Sequence, residues 1–324
     1  MRTIPCTALA CVALLLPACE RGGTPASRDP AAFPVDSGFV TTDDGVGLFY
    51  RTIGEGSLAV VIPVALYLED ALAPLAAAER RLVFYDPRGR GRSESGDRSR
   101  VTLDRQLADL DQVRAHFALD SMVLIGWSGL GMETAVYAMR QPDRVIRLIQ
   151  VAPVAARDAP HNAAAYAERS SRLDTAAVRG VQARHAAGGF ADEPAEYCRA
   201  LAVLTRPASF ADTTGMSQVP DVCAFPNEHP DSLSPLFQAL LGSFAGYDWR
   251  EELRTLSVPR LVIHGVADAF PLAGSREWVP PGPAARLLVV DRAGHFPFLE
   301  RADIFFPAVE AFLRGEWPAG AERG

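Results

Sequence analysis

The sequence predicts an α/β protein: a mostly parallel central sheet with helices on both faces, interrupted by an inserted helical segment. Short apolar runs alternate with helical stretches from Leu58 to Val151. The alternation stops near Ala152 and resumes at Arg260. Within the first stretch, the run Met122-Val-Leu-Ile ends on Gly126-Trp127-Ser128-Gly129 and leads into an apolar-periodic run from Met132 to Met139. That is the pattern of a buried strand, a turn too tight for ordinary side chains, and a helix.

Composition sets the outer limits. A chain of 324 residues can bury one large core and carry an insertion. With 48% hydrophobic and 22% charged residues, it is composed like an ordinary globular protein. The net charge is -7 and there is no Lys/Arg-rich run, which excludes nucleic acid as a partner. The expected partner is a small-molecule or short-peptide substrate; the oligomeric state is left open.

The first segment stands outside the fold. Met1-Arg2 gives a positive start, Ile4 to Leu16 is an apolar run too short to span a bilayer, and Leu16-Pro17-Ala18-Cys19 follows. This resembles a bacterial lipoprotein signal peptide with its lipobox, which implies a signal over 1–18 and lipidation at Cys19. Cys11 is a poorer acceptor, and a plain secretory signal is the alternative. Residues 19–36 are rich in Gly, Pro, Ala and Ser and read as a flexible tether reaching roughly 20–25 Å. The expected location is therefore exported and membrane-anchored, periplasm-facing, with the lipid as the sole membrane contact.

Regular structure is expected to begin near Gly38. Gly38–Thr42 and Val46–Thr52 flank Asp43-Asp44-Gly45, a hairpin signal. Leu58–Ile62 is fully apolar, as in a central parallel strand. A Leu/Ala-rich helix is predicted over Leu68–Ala78, then a strand at Leu82–Tyr85. Thr102 to Phe117 is amphipathic, with Leu103, Leu107, Leu110, Val113 and Phe117 on one face. A strand follows at Val145–Val151. The stretch 152–250 is helical and loop-like and reads as a cap inserted into a core of 37–151 and 251–316. The later strands are Arg260–His264 and Arg286–Val290, and a helix closes the core from Ala302 to Leu313.

Chemistry gathers after the strands. Ser128 follows one, Gly265-Val-Ala-Asp268 another, and Asp291-Arg-Ala-Gly294-His295 a third. Open α/β sheets collect their sites at the C-terminal strand ends. The Gly126-Trp127-Ser128 turn resembles the nucleophile elbow of α/β-hydrolases, and the order Ser128, Asp268, His295 is that superfamily's order. The resemblance covers about Gly38 to Leu313, with the proline iminopeptidase-like branch nearest. It implies the α/β-hydrolase fold and a serine hydrolase acting through an acyl-enzyme: Ser128 as nucleophile, His295 as base, Asp268 fixing the imidazole tautomer. Asp86-Pro-Arg-Gly-Arg-Gly-Arg-Ser-Glu94 resembles the structural loop the superfamily carries after this strand, and its spacing is not that of a P-loop.

The pattern departs in two places. The glycine expected at the second position after Ser128 is Leu130, with Gly131 next. The family's His-Gly is replaced by Pro63-Val64-Ala65, and Pro63 has no N–H to offer. Oxyanion donors would then be the backbone of Gly129 and of Ala65 or Val64. These departures keep open a slow-turnover binding or sensing protein on the same fold; a cofactor-free perhydrolase or haloperoxidase-like activity on the same three residues is a further alternative.

No metal and no cofactor is expected, since HExxH and paired cysteine clusters are absent from the sequence. His264 should be buried, His116 lies on a helix, and His161, His185 and His229 fall in the insertion; Asp158 is the alternative acid. Aminopeptidase-like recognition of an ammonium would need an acid in the insertion, for which Glu193, Glu196 and Glu228 are candidates. Export and lipidation would leave Cys198 and Cys223, a possible disulfide worth roughly 3.5 kcal/mol in the chain-entropy model.

Overall fold

The structure, a computed structural model, describes residues 32–324. The expected signal, Cys19 and most of the tether lie outside the described residues. The chain opens with an antiparallel hairpin of β1 (Val35–Thr41) and β2 (Gly47–Ile53). Its turn holds Thr42, whose N–H donates to the Val46 carbonyl at 2.9 Å. The fold starts at Val35 rather than Gly38, so the last part of the expected tether is strand.

β3 (Leu58–Pro63), α1 (Ala65–Leu68) and β4 (Arg80–Tyr85) follow. The helix expected over Leu68–Ala78 does not form: α1 ends at Leu68, and Ala73–Leu75 makes a single 3-10 turn. Pro74 removes a backbone donor and disfavours helical geometry at Ala73 before it. Leu68, Leu72 and Leu75 reach the core without a continuous helix.

α2 (Leu103–His116) starts at Thr102, whose hydroxyl accepts from the Arg105 N–H at 3.2 Å. β5 (Met122–Trp127), α3 (Gly129–Arg140) and β6 (Val145–Val151) complete the first half. Between β6 and the next strand lie α4 (His161–Ser171), α5 (Thr175–Ala186), α6 (Pro194–Thr205), α7 (Pro230–Gly242) and the short α8 (Arg250–Leu253). β7 (Arg260–Gly265), α9 (Leu272–Arg276), β8 (Ala285–Val290), α10 (Pro297–Glu300) and α11 (Ala302–Leu313) finish the fold. Past the expected core limit of residue 316 the chain returns to the sheet, where Glu322 exchanges backbone hydrogen bonds with Leu287 at 2.8 and 2.9 Å.

The eight strands form one sheet in the order β1-β2-β4-β3-β5-β6-β7-β8. β1, β2 and β4 pair antiparallel; every other neighbouring pair is parallel. Period-2 alternation sends Val61, Val83, Leu124 and Leu148 to one face, under α2 and α3. Val60, Leu82, Ile125 and Ile149 go to the other face, under α11. Covered on both faces, the central strands must be apolar throughout, which explains their unbroken hydrophobic runs.

The strand order fixes where a site can form. The chain runs from β3 outward to β4, then crosses back over β3 to β5. The loops after β3 and β5 therefore diverge at the sheet's switch point, and a crevice opens at their C-terminal ends. Val64 and Ser128 stand on its two sides.

Candidate active site

Ser128 sits in a turn the sequence forces to be sharp. A Cβ at Gly126 would collide with Thr134 Oγ1 and the Leu130 carbonyl, so only glycine allows α3 to start so close behind β5. Ser128 has φ 58° and ψ -128°, a sparsely populated region for a residue with a side chain. Its backbone is pinned on both sides. The N–H donates to Val151 at 2.9 Å, and the carbonyl accepts from Gly131 at 3.0 Å and Val154 at 3.2 Å.

The acid and the histidine arrive on the loops after β7 and β8. His295 Nδ1–H donates to Asp268 Oδ2 at 2.8 Å, and the Phe270 N–H donates to Asp268 Oδ1 at 3.0 Å. Both side chains are buried. Burial raises the Asp268 carboxyl, but the His295 charge and hydrogen bond outweigh it and hold it below its usual value. The bond puts the imidazole proton on Nδ1 and leaves Nε2 as the acceptor, able to take a proton from a hydroxyl. Phe270 stacks on the imidazole, with centroids 5.3 Å apart. Glycine is needed here too: a Cβ at Gly265 would collide with the Gly294 carbonyl, so β7 and the histidine loop could not close together.

Backbone donors begin the helices that follow Ser128 and Val64. Gly129 and Ala65 begin α3 and α1, where a helix leaves its first N–H groups without internal partners. The next donor, Leu66 N–H, is taken by Asp86 Oδ1 at 2.8 Å. Val64 faces the crevice with φ 63° and ψ 59°. A β-branched residue in that region is strained, and the strain lies in the turn that replaces the expected His-Gly.

Ser128, Gly129, Val64 and His295 open onto one cavity of about 600 Å³. The helices between β6 and β7 form its other wall, through Leu201, Val222, Leu236 and Leu240 among others. Glu300 ties this segment to the histidine loop, accepting from Ala211 N–H at 2.6 Å and Gly294 N–H at 2.8 Å. The Ser209 carbonyl accepts from His295 N–H at 2.8 Å. Cys198 and Cys223 are joined by a disulfide and also line the cavity.

The expected acids of the insertion divide. Glu193 and Glu196 face a separate outer hollow beside α5 and α6. Glu228 does line the cavity, but Arg90 holds it with two bonds of 2.8 and 3.0 Å, and Gly91 N–H adds a third at 2.8 Å. The Asp86–Glu94 loop is a framework: Arg88 binds Asp109 and Asp44, and Arg92 binds Glu69 and Asp86.

The other histidines have structural partners. His264 is buried against Ser275 at 2.9 Å, and burial lowers its pKa. His161 meets Glu277, His185 stacks on Tyr197, His229 bonds the Cys223 carbonyl, and His116 packs on Phe117. Asp158 accepts from Asn162 and Gly246, while the acid on the His295 ring is Asp268. Among the described residues no cluster of three His, Cys, Asp or Glu side chains could hold a metal.

Sequence reasoning missed Glu133, Gln106 and Trp127. All three line the cavity. The signal for Glu133 was present, an acid inside the apolar run from Met132 to Met139. Nothing in a sequence says that the Trp127 indole would reach His295.

The family model described as alpha/beta hydrolase fold matches residues 62–302. The chain is 29% identical over 202 residues to a pimeloyl-[acyl-carrier protein] methyl ester esterase of Aromatoleum aromaticum, covering 60% of this chain and 75% of that one. It is 26% identical over 233 residues to a proline iminopeptidase of Lactobacillus delbrueckii subsp. bulgaricus, covering 68% and 76%. Among solved structures it is similar in fold to 2-hydroxy-6-oxo-6-phenylhexa-2,4-dienoate hydrolase of Rhodococcus sp., with a TM-score of 0.62, 21% identity, and coverage of 87% and 100%.

Proposed function

Because the chain belongs to the alpha/beta hydrolase family, we propose that it is a serine hydrolase that cleaves a small ester or amide through an acyl-enzyme on Ser128. The observation that carries this reading is the 2.8 Å bond from His295 Nδ1–H to Asp268, on a ring that shares its cavity with the strained Ser128. His295 Nε2 takes the Ser128 proton as Oγ bonds the substrate carbonyl carbon. The carbonyl oxygen becomes an oxyanion, received by the Gly129 N–H and by that of Ala65 or Val64. His295 then returns the proton to the leaving alcohol or amine as its bond to carbon breaks. A water repeats the cycle and frees the acid. Asp268 holds the tautomer and offsets the imidazolium charge.

Ester chemistry fits the cavity better than capture of an N-terminal amine by the insertion. Glu228 is saturated by Arg90 and Gly91, and Glu193 and Glu196 face elsewhere. The helices over 152–250 act as a cap that walls the pocket and restricts it to small substrates. Export to an oxidising compartment on a lipid at Cys19 is part of the same proposal, motivated by the Leu16–Cys19 motif and the Cys198–Cys223 bridge. A slow-turnover binding protein is the second reading, favoured by the Pro63-Val64 turn alone. Turnover of p-nitrophenyl esters separates the two: hydrolysis that vanishes in Ser128→Ala supports the hydrolase, and equal rates in both proteins refute it.

A further inference from the structure

Two polar side chains line the cavity without a partner on the protein. Glu133 on α3 is 8% exposed and Gln106 on α2 is 5% exposed. Neither the carboxyl nor the carboxamide has a hydrogen-bond or ion-pair partner among the described residues. Their polar atoms are also not among those sealed from solvent, so they keep access to the cavity. Such groups are costly to bury unpaired.

The charges around Glu133 leave it without a counter-ion. Among the described residues Arg90 is the one cation that acts on it, and the Arg90 guanidinium is already committed to Glu228. Burial pushes the Glu133 carboxyl up to about 8, with Arg90 offsetting only part of the rise. Leu130, Leu236 and Leu240 supply apolar wall nearby. Gly129, Leu130 and Glu133 lie on one face of α3 and all three line the cavity. From Gly129 to Glu133 the helix rises about 6 Å, so the carboxyl stands one turn from the N–H proposed to receive the carbonyl oxygen.

We infer that Glu133 and Gln106 form a recognition site for a cationic amine carried on the acyl part of the substrate, a few bonds from the scissile carbonyl. An ammonium has three N–H donors. The Glu133 carboxylate and the Gln106 Oε1 both accept, and Glu133 ionises as the positive charge arrives. An alkyl end of the same size would leave both groups unpaired, which is the kind of discrimination that buried polar groups enforce. The site lies on core helices, unlike the acids of the insertion. The inference deepens the hydrolase reading and rests on it for the word substrate, while the site itself can be tested without turnover.

The test is calorimetric binding of n-butylammonium, with n-butanol as the neutral control. Wild type and Ser128→Ala should bind the amine alike and prefer it to the alcohol, and Glu133→Gln should lose about tenfold or more in affinity for the amine. Glu133→Gln is isosteric and removes an unpaired carboxyl, so it should fold; its circular dichroism and melting profile check this. In parallel, wild-type kcat/KM for p-nitrophenyl esters bearing a terminal amine should exceed that for their alkyl isosteres, chiefly through KM. Equal binding of n-butylammonium by wild type and Glu133→Gln, or equal binding of amine and alcohol by wild type, overturns the site. Retained amine binding in a protein that never turns over an ester would instead refute the hydrolase reading and leave the amine site standing.

Discussion

The indole Nε1–H of Trp127 donates to the backbone carbonyl of His295 at 2.8 Å. This bond joins the last residue of β5, next to Ser128, to the loop after β8. The two rings lie 5.2 Å apart, so Trp127 positions the imidazole both by hydrogen bond and by contact. Replacing it with Phe keeps most of the packing and leaves the His295 carbonyl without this donor. Trp127→Phe should cost about 1–3 kcal/mol of stability. It should also reduce kcat more than it raises KM, because the displaced group is the proposed base. Urea unfolding and steady-state kinetics measure both; unchanged kcat would show that the bond does not position His295.

Arg90 and Glu228 form the buried clamp between the Asp86–Glu94 loop and the helical insertion, with side chains 13% and 0% exposed. Removing one partner leaves a buried charge unpaired, so Arg90→Ala should destabilise by roughly 3–5 kcal/mol. Replacing both with Met and Leu should recover much of that loss. A double-mutant cycle by chemical denaturation measures the coupling, and strict additivity would contradict the clamp.

Glu133 gives stability an unusual pH dependence. Its carboxyl is raised by burial to about 8 from the usual 4.5, with Arg90 lowering it slightly; Tyr85 senses its charge in turn. The folded protein therefore holds this proton more tightly than the unfolded chain. The contribution is fully present below pH 4.5 and is lost as pH rises through about 8, a difference of a few kcal/mol. Asp268 runs the opposite way: its lowered pKa stabilises above the usual carboxylate range and is lost in acid. Urea midpoints from pH 5 to 9 should fall more steeply for wild type than for Glu133→Gln, and parallel curves would contradict the burial argument.

The bridge between Cys198 and Cys223 lies within the insertion and faces the cavity. Denatured without reductant, neither cysteine should react with iodoacetamide; after reduction both should. Loss of the bridge should cost about 2–4 kcal/mol, felt mainly in the insertion because the described core has no cysteine. Peptide mapping settles it, and two alkylated thiols without reductant would contradict the bond.

The parts readable in the sequence are those that depend on local pattern. The strand runs are legible because both faces of the sheet are covered, and β6 and α11 begin and end where their apolar periods do. The candidate residues Ser128, Asp268 and His295 are readable because each follows a strand in a turn marked by glycine. The helix at Leu68–Ala78 misled because leucine and alanine serve loop burial as well as helix, and Pro74 outweighs them. Glu228 was readable as an acid of the insertion but not as the partner of Arg90, since that pairing spans a sequence distance of 138. Long-range pairings of this kind depend on how the insertion folds back, and no local pattern encodes that.

Fluorophosphonate labelling followed by peptide mapping tests the role of Ser128 most directly. The reagent reacts with a serine whose proton can pass to a neighbouring base, so it reads the joint effect of Ser128, His295 and Asp268 without needing the natural substrate. Wild type should carry one phosphonyl adduct on the peptide containing Ser128. Asp268→Asn should label on the order of 10³–10⁴ times more slowly through the wrong tautomer, and Ser128→Ala not at all. A folded wild type that never labels, or a Ser128→Ala protein that labels at the wild-type rate, would contradict the assignment of Ser128 as the nucleophile.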